Sequence, residues 1–275
     1  MRTQQVGLTR GGRDADDGWE VAHPLGGSSL EGVAMAGFRD RAAAGLDMRV
    51  LPQPAVIVVI GLRETRLAVD GTGGHRPMTN LVAPMTPGPA RIRGERVECV
   101  EVRLTPRAAY TVLGVAPHEL HGSVTSLEDL WGPQARRLGE RLADTGGWAE
   151  RLALTDAFLT ERAAAAPAMS PEVAGVWDTI VARRGRVRIT DLAASCGWSR
   201  KRLWSRFGAQ IGLTPKRAAM LVRFDHAARA LTSGGSIGDV ALACGYADQS
   251  HLHRDVLTLA GFTPSALAAM NTSAG

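Results

Sequence analysis

DLAASCGWS, at residues 191–199, returns as DVALACGYA at residues 239–247, an offset of 48 positions. A second set of matching residues follows each copy, at an offset of 49 positions. Leu203, Phe207, Gly212, Thr214 and Pro215 align with Leu252, Val256, Gly261, Thr263 and Pro264, in that order. One residue is therefore inserted between the two blocks. Self-similarity at a fixed spacing indicates a duplicated structural unit.

Each copy predicts two helices joined by a tight turn. The first helix is short and ends at Gly197 or Gly245, since glycine supplies the backbone freedom that such a turn needs. The apolar residues of the second helix are four apart and so share one face. Gly-x-Thr-Pro then ends this helix, because proline cannot continue it. The repeat predicts two helix-turn-helix units, joined by one long helix over residues 215–231.

The start of this all-α part is predicted at Ser170-Pro171-Glu172. Serine can cap a helix, proline suits its first position, and glutamate favours its first turn. Alanine and proline are frequent in residues 163–169, which suit a helix end followed by a linker. We therefore expect an N-terminal domain over residues 1–165 and a DNA-binding domain over residues 170–275.

The first half of the chain has a different pattern. Strands are predicted at residues 55–62, 66–69 and 97–104, a turn at residues 70–74, and loops between Pro84 and Gly94. Helical periodicity begins at Pro106, with helices predicted at residues 107–113, 127–142 and 148–162. The expected fold class is α+β: a β-rich N-terminal regulatory domain with helical hairpins, followed by an all-α domain.

The positive charge is concentrated at the C-terminal end. The whole chain carries a formal charge of +5, whereas the residues from Glu172 onward hold 13 lysines and arginines against 7 carboxylates. The remainder is close to neutral. Clustered basic charge suits a domain that neutralises phosphates, although an ordinary solvated surface would explain the charge alone equally well.

Cysteine usage and hydropathy limit the class of protein. The three cysteines, Cys99, Cys196 and Cys244, are few and widely spaced, which favours reduced thiols over a disulfide framework. Cys196 and Cys244 occupy equivalent positions before a glycine and are expected in the core. With no apolar run of membrane length and no apolar stretch at the start, we expect a cytoplasmic protein without membrane contact.

The paired repeat resembles the DNA-binding region of the AraC/XylS family of transcription regulators. The resemblance covers about the last hundred residues and is closest over residues 241–265. It implies a transcription factor, with activation as the usual outcome, that binds operator DNA and meets RNA polymerase. Val256 and Leu252 stand where the family often has phenylalanine, and both keep the core position apolar. Ala268 replaces a common arginine, and because this removes a positive charge, the second unit is expected to hold DNA less tightly.

The same resemblance implies which residues meet DNA. The second helix of each unit enters the major groove, with outward residues near its start facing base edges. In the first unit the reading positions fall on Lys201, Trp204 and Ser205, with Arg200, Arg202 and Arg206 near phosphates. In the second unit they fall on Gln249, Ser250, His251 and Arg254. Trp204 has a second interpretation, as a residue covering a gap in the core.

Other functions are weaker alternatives. An enzymatic N-terminal domain that accepts an alkyl group, as in some DNA-repair proteins, would need an activated thiolate. Cys99 is the candidate, but the charges of Glu98 and Glu101 would raise its pKa. His118 and His121 lack the glutamate of a zincin motif, and we expect no metal, no cofactor and no enzymatic activity. The N-terminal domain is expected to bind a small effector or to form a homodimer, and the sequence leaves both open.

Overall fold

A computed structural model describes residues 18–70, 77–85, 88, 90–120 and 122–269. The turn predicted over residues 70–74 lies mostly outside these ranges, as does His121. Strands and a first group of helices form the N-terminal half, and a second group of helices follows it.

The N-terminal half contains two antiparallel sheets. The strands are β1 (Trp19–Ala22), β2 (Val33–Asp40), β3 (Leu46–Val50), β4 (Val56–Gly61), β5 (Arg66–Asp70), β6 (Asn80–Ala83), β7 (Ala90–Glu95), β8 (Glu98–Leu104) and β9 (Thr125–Ser126). Six strands form one sheet in the order β1-β2-β8-β4-β6-β9, and three form the other in the order β3-β7-β5. The strands predicted from sequence correspond to β4, β5 and β8, whereas β7 lies within the stretch predicted as loops.

Both faces of the six-stranded sheet are covered. One face and the smaller sheet enclose an apolar layer that includes Phe38, Leu67 and Cys99. The other face, with Val58, Ile60 and Val100, packs against helices. A central strand covered on both faces has no solvent side, which explains why Glu101 of β8 is buried although the alternating pattern favoured exposure.

The helices of the N-terminal half are α1 (Pro106–Val112), α2 (Leu127–Trp131), α3 (Pro133–Asp144) and α4 (Trp148–Ala164), with a short 3₁₀ helix at Pro117–Leu120. The single helix predicted over residues 127–142 is wrong, because the chain turns at Gly132 between α2 and α3. Pro133 explains the break, since proline disfavours the helical conformation of the residue before it and has no N–H to donate.

The C-terminal half consists of α5 (Pro171–Ala182), α6 (Ile189–Ser195), α7 (Arg200–Ile211), α8 (Pro215–Thr232), α9 (Ile237–Ala243), α10 (Gln249–Ala260) and α11 (Pro264–Ala269). The helix pairs α6–α7 and α9–α10 are the two predicted units, and α8 is the predicted connecting helix. Ser170 occupies the N-cap position of α5, but its side chain makes no capping hydrogen bond. Together with the strands described above, these helices confirm the α+β class.

The two halves are packed together. The 3₁₀ helix lies against the end of α7, where His118 Nδ1 donates a hydrogen bond of 2.8 Å to the carbonyl oxygen of Ala209. Arg107 of α1 pairs with Asp178 of α5 at 2.8 Å. One buried apolar cluster continues from the sheet through the helices of both halves. The N-terminal half therefore supports the first helix-turn-helix unit directly.

Candidate nucleic-acid interface

The second helix of the first unit, α7, is held by its ends and its apolar face. The Ser199 side chain accepts a hydrogen bond from Arg202 N, and Gly212 ends the helix in the left-handed conformation, at φ 82°. Leu203, Phe207 and Ile211 are buried against the neighbouring helices. The other residues of its first two turns are exposed, and they are the predicted Arg200, Lys201, Arg202, Trp204, Ser205 and Arg206.

Two aromatic residues of the first unit differ in exposure. Trp204 has 46% of its surface exposed, although tryptophan is usually well buried. Trp204 is therefore not a buried core residue. Trp198 is half-buried and lies under Arg202, whose guanidinium carbon is 4.9 Å from the ring centroid. Arg202 is thus drawn towards the turn of the unit.

The second helix of the second unit, α10, repeats this construction. Asp248 caps it by accepting a hydrogen bond of 2.7 Å from His251 N, and Gly261 ends it at φ 70°. Leu252, Val256 and Leu259 are buried. Gln249, Ser250 and Arg254 are exposed, as the predicted reading positions require.

His251 is less exposed than its neighbours on α10. Its ring meets Tyr246 edge-on at 5.1 Å, and its Nε2 atom lies 3.8 Å from Asp255 Oδ2. Arg223 of α8 pairs with Asp255 at 2.9 Å and lies over the Tyr246 ring at 4.6 Å. Burial raises the pKa of Tyr246 to about 12, so its phenol is neutral at ordinary pH. These contacts hold α10 against α8. They were not predicted from the sequence.

The exposed cations of the two helices are not paired with any carboxylate that the structure describes. In the part of the chain that the structure describes, no carboxylate pairs with Arg200, Lys201, Arg202, Arg206 or Arg254. Arg254 Nε instead donates to the carbonyl oxygen of Ser250 at 3.3 Å, a bond within its own helix. Unneutralised charges on two exposed helix faces are suited to phosphate and base contacts.

The remaining sequence candidates are placed as follows. Cys99 is fully buried, and burial raises the pKa of its thiol, with the charges of Glu101 and Glu98 adding to the effect. Burial is a larger cause than the neighbouring charges from which the raised pKa was predicted. Cys244 is buried, but Cys196 is half-buried, so the prediction that both lie in the core is only partly correct.

No cluster of three or more potential metal ligands is found among the described residues. None of the helices described there has the length and apolar character of a membrane span.

The C-terminal half is similar to a known protein family. Residues 192–270 match the model of a family described as a helix-turn-helix domain. The match begins within α6 and includes α7 to α11, so it covers most of the first unit, the connecting helix and the whole second unit. Comparison with curated proteins gave no match.

Several solved structures are similar to this chain. The C-terminal domain of AraT, a response regulator from Geobacillus stearothermophilus, is 19% identical, with coverage of 36% of this chain and 85% of that domain and a TM-score of 0.35. A probable AraC family transcriptional regulator from Rhodopseudomonas palustris is 29% identical, with coverage of 38% and 98% and a TM-score of 0.33. ToxT from Vibrio cholerae is 9% identical, with coverage of 88% and 99% and a TM-score of 0.47.

Proposed function

We propose that this chain, whose C-terminal part is an AraC-type helix-turn-helix domain, is a transcription regulator that reads two successive major grooves of its operator. The observation that carries the proposal is the pair of exposed, unneutralised faces on α7 and α10. Each face belongs to a helix that is capped at both ends and anchored by a buried apolar side. Rigid presentation of polar groups is what recognition of base edges requires.

The proposed roles of the residues follow from their positions. Lys201, Trp204 and Ser205 read bases in one half-site, and Gln249, Ser250, His251 and Arg254 read bases in the other. Arg200, Arg202 and Arg206 contact phosphates. Among these proposed contact residues, His251 has the least exposed side chain. Because its ring faces Asp255, its proposed role includes orienting the start of α10.

The proposal is tested by selection from random DNA with the full chain, followed by footprinting of the recovered duplexes. Two recognition helices on one side of the duplex enter major grooves one turn apart, roughly 34 Å or about 10 base pairs. We expect two short half-sites of different sequence at this spacing. Recovery of one half-site alone would contradict reading by both units.

We further propose that residues 1–165 form the regulatory domain and residues 170–275 the DNA-binding domain. The contacts of His118 with Ala209 and of Arg107 with Asp178 support control of the C-terminal half by the N-terminal half. Binding of a small effector or formation of a homodimer would act through these contacts. Thermal shift of the full chain with candidate metabolites, beside sedimentation, distinguishes the two inputs.

Activation through RNA polymerase is the proposed output. Transcription in vitro from a promoter with the selected operator upstream should rise when the protein is added. A fall in transcription would identify a repressor and leave the mode of DNA reading unchanged.

The alternative of an alkyl-accepting enzyme has little physical support. Such a reaction needs an accessible thiolate, whereas Cys99 lies between the two sheets and has a raised pKa. Transcription regulators of this type are generally not enzymes. Stoichiometric labelling of Cys99 by an alkylated DNA donor would revive the alternative.

A further inference from the structure

The connection between α5 and α6 is unusually rich in arginine. Residues 183–188 read Arg-Arg-Gly-Arg-Val-Arg, and we call this segment the arginine loop. All four arginines are exposed, and the segment contains no carboxylate. The corresponding segment before α9, residues 232–236, reads Thr-Ser-Gly-Gly-Ser and carries no charge. The two units therefore differ sharply at this position.

The four guanidinium groups have no anionic partner within the part of the chain that the structure describes. None of them forms an ion pair or a side-chain hydrogen bond, whereas Arg107, Arg223 and Arg229 each pair with an aspartate. Four like charges within six residues repel one another, which costs free energy unless an external anion neutralises them. An anionic partner is therefore favoured at this surface.

The arginine loop is held in one conformation. Gly185 N donates a hydrogen bond of 2.8 Å to the carbonyl oxygen of Ile180. Gly185 itself, at φ 74°, packs so closely on α8 that an added Cβ would lie 2.8 Å from Arg223 N. Arg184 adopts a left-handed conformation, at φ 52°, which is uncommon outside glycine. Because the backbone is already ordered, a ligand would not have to order it on binding.

The position of the loop is between the two helix-turn-helix units. It leads directly into α6 of the first unit, and the Arg186 side chain lies on Gly245 in the turn of the second unit. A Cβ added to Gly245 would be 2.9 Å from Arg186 Cδ. Gly245 is four residues before Gln249, the first residue of α10. The Arg186 side chain thus lies near the start of the second recognition helix.

We propose that the arginine loop binds phosphates of the DNA backbone that separates the two half-sites. This inference rests on the proposed function, since it assumes that α7 and α10 occupy successive major grooves. Between two such grooves the sugar-phosphate backbone crosses the surface that joins the units. Contacts of this kind position the protein on the duplex and carry no sequence information.

The test uses two variants of the full chain with a matched control. Arg186→Met keeps an apolar stem against Gly245 but removes the charge, and Arg188→Ala removes a second charge. Arg137→Ala, on the exposed side of α3, is the control because it changes the net charge equally. Affinity is measured against salt concentration on the duplex selected by the wild-type chain and on an unrelated duplex. Circular dichroism at each salt concentration verifies that the variants are folded.

Each loop variant should reduce the log-log salt slope by roughly 0.9, the contribution of one phosphate contact on duplex DNA. Affinity should fall by a similar factor on both duplexes, because the lost contact is independent of sequence. Arg137→Ala should leave the slope unchanged, and Arg186→Lys should restore it. Phosphate ethylation between the half-sites should interfere with binding of the wild-type chain, and the interference at one phosphate should disappear in each loop variant.

Unchanged slopes and unchanged ethylation patterns in both loop variants would overturn the inference while the wild-type chain still binds its operator. The proposed function would then stand without the arginine loop. Failure of the wild-type chain to select any DNA would instead contradict the proposed function, and the inference with it.

Discussion

The guanidinium carbon of Arg49, on β3, lies 4.8 Å from the centroid of the Phe262 ring, which follows α10. This contact joins the smaller sheet to the second helix-turn-helix unit. The contact of His118 with Ala209 joins the 3₁₀ helix to the first unit. The N-terminal half therefore contacts both units at separate points, and a shift between these points would change the angle between the recognition helices.

Arg49→Ala should weaken the association of the two halves through loss of the cation–π contact. A double-mutant cycle with Phe262→Leu, which keeps an apolar side chain without a ring, should give a coupling free energy of about 0.5 to 1 kcal/mol. The measurement is chemical denaturation of the full chain. Arg66→Ala, an exposed arginine on β5, is the control and should show no coupling with Phe262→Leu. Additive effects of Arg49→Ala and Phe262→Leu would mean that the contact carries no free energy.

Arg254→Ala should relax the base preference of one half-site, because an arginine reads guanine through two hydrogen bonds. The expected loss is roughly 1 to 3 kcal/mol on the preferred sequence and little on others. Arg206→Ala, as a phosphate contact, should weaken all sequences alike and lower the salt slope by roughly 1. Binding to a panel of operator variants at several salt concentrations measures both effects. Unaltered specificity after Arg254→Ala would show that the second unit contacts only the backbone.

The two equivalent cysteines should respond differently to serine. Cys196 Sγ lies 3.2 Å from the carbonyl oxygen of Leu192, so a hydroxyl there has an acceptor and Cys196→Ser should cost little. Cys244 is buried and has no such acceptor among the described residues, so Cys244→Ser should cost roughly 1 to 3 kcal/mol. Thermal and denaturant unfolding compare the two. Equal losses would contradict the distinction, and loss of DNA binding at full stability would indicate a direct role of the thiol.

Glu98→Gln should destabilise the N-terminal half. Glu98 accepts hydrogen bonds of 2.5 Å from both Arg39 and Arg151, and the Arg151 side chain is only 3% exposed. Burial alone raises the pKa of Glu98, but the hydrogen bonds and charges of the two arginines outweigh it and lower the pKa overall. Removing the carboxylate leaves a buried cation unpaired, at a cost of about 3 kcal/mol.

The hydrogen bonds of Glu98 with Arg39 and Arg151 also predict how stability depends on pH. Because the pKa of Glu98 is lower in the folded state, its contribution is present above the ordinary carboxylate value of 4.5 and is lost as the pH falls below it. The wild-type chain should therefore lose unfolding free energy on acidification, and Glu98→Gln should lose less. Asp47→Asn, which breaks the exposed pair with Arg91, is the control and should remain close to the wild type. Parallel pH profiles of the wild type and Glu98→Gln would contradict this assignment.

Local patterns predicted the C-terminal half well. Within each copy of the repeat, the spacing of apolar residues such as Leu203 and Phe207 and the Gly-x-Thr-Pro stop act over a few residues, and helices form through contacts of that range. The prediction of α8 over residues 215–231 is confirmed as Pro215–Thr232 for the same reason. The DNA-binding residues remain a prediction, although their exposed face on each helix agrees with it.

Long-range pairing limited the prediction of the N-terminal half. Strand β7 was missed because its partners β3 and β5 are separated from it in sequence, and only their pairing supplies its hydrogen bonds. The burial of Glu98 and Glu101 likewise depends on elements that cover both faces of β8.

The sequence by itself determined that the chain ends in two helix-turn-helix units with excess positive charge, since periodicity, capping and composition are local properties. Only the tertiary structure decided which residues of separate elements are in contact. It brought Arg186 against Gly245, Arg223 against Asp255, and Arg49 against Phe262. These contacts join residues far apart in the chain, and they form because buried apolar surfaces of separate elements must pack against one another, which no local pattern specifies.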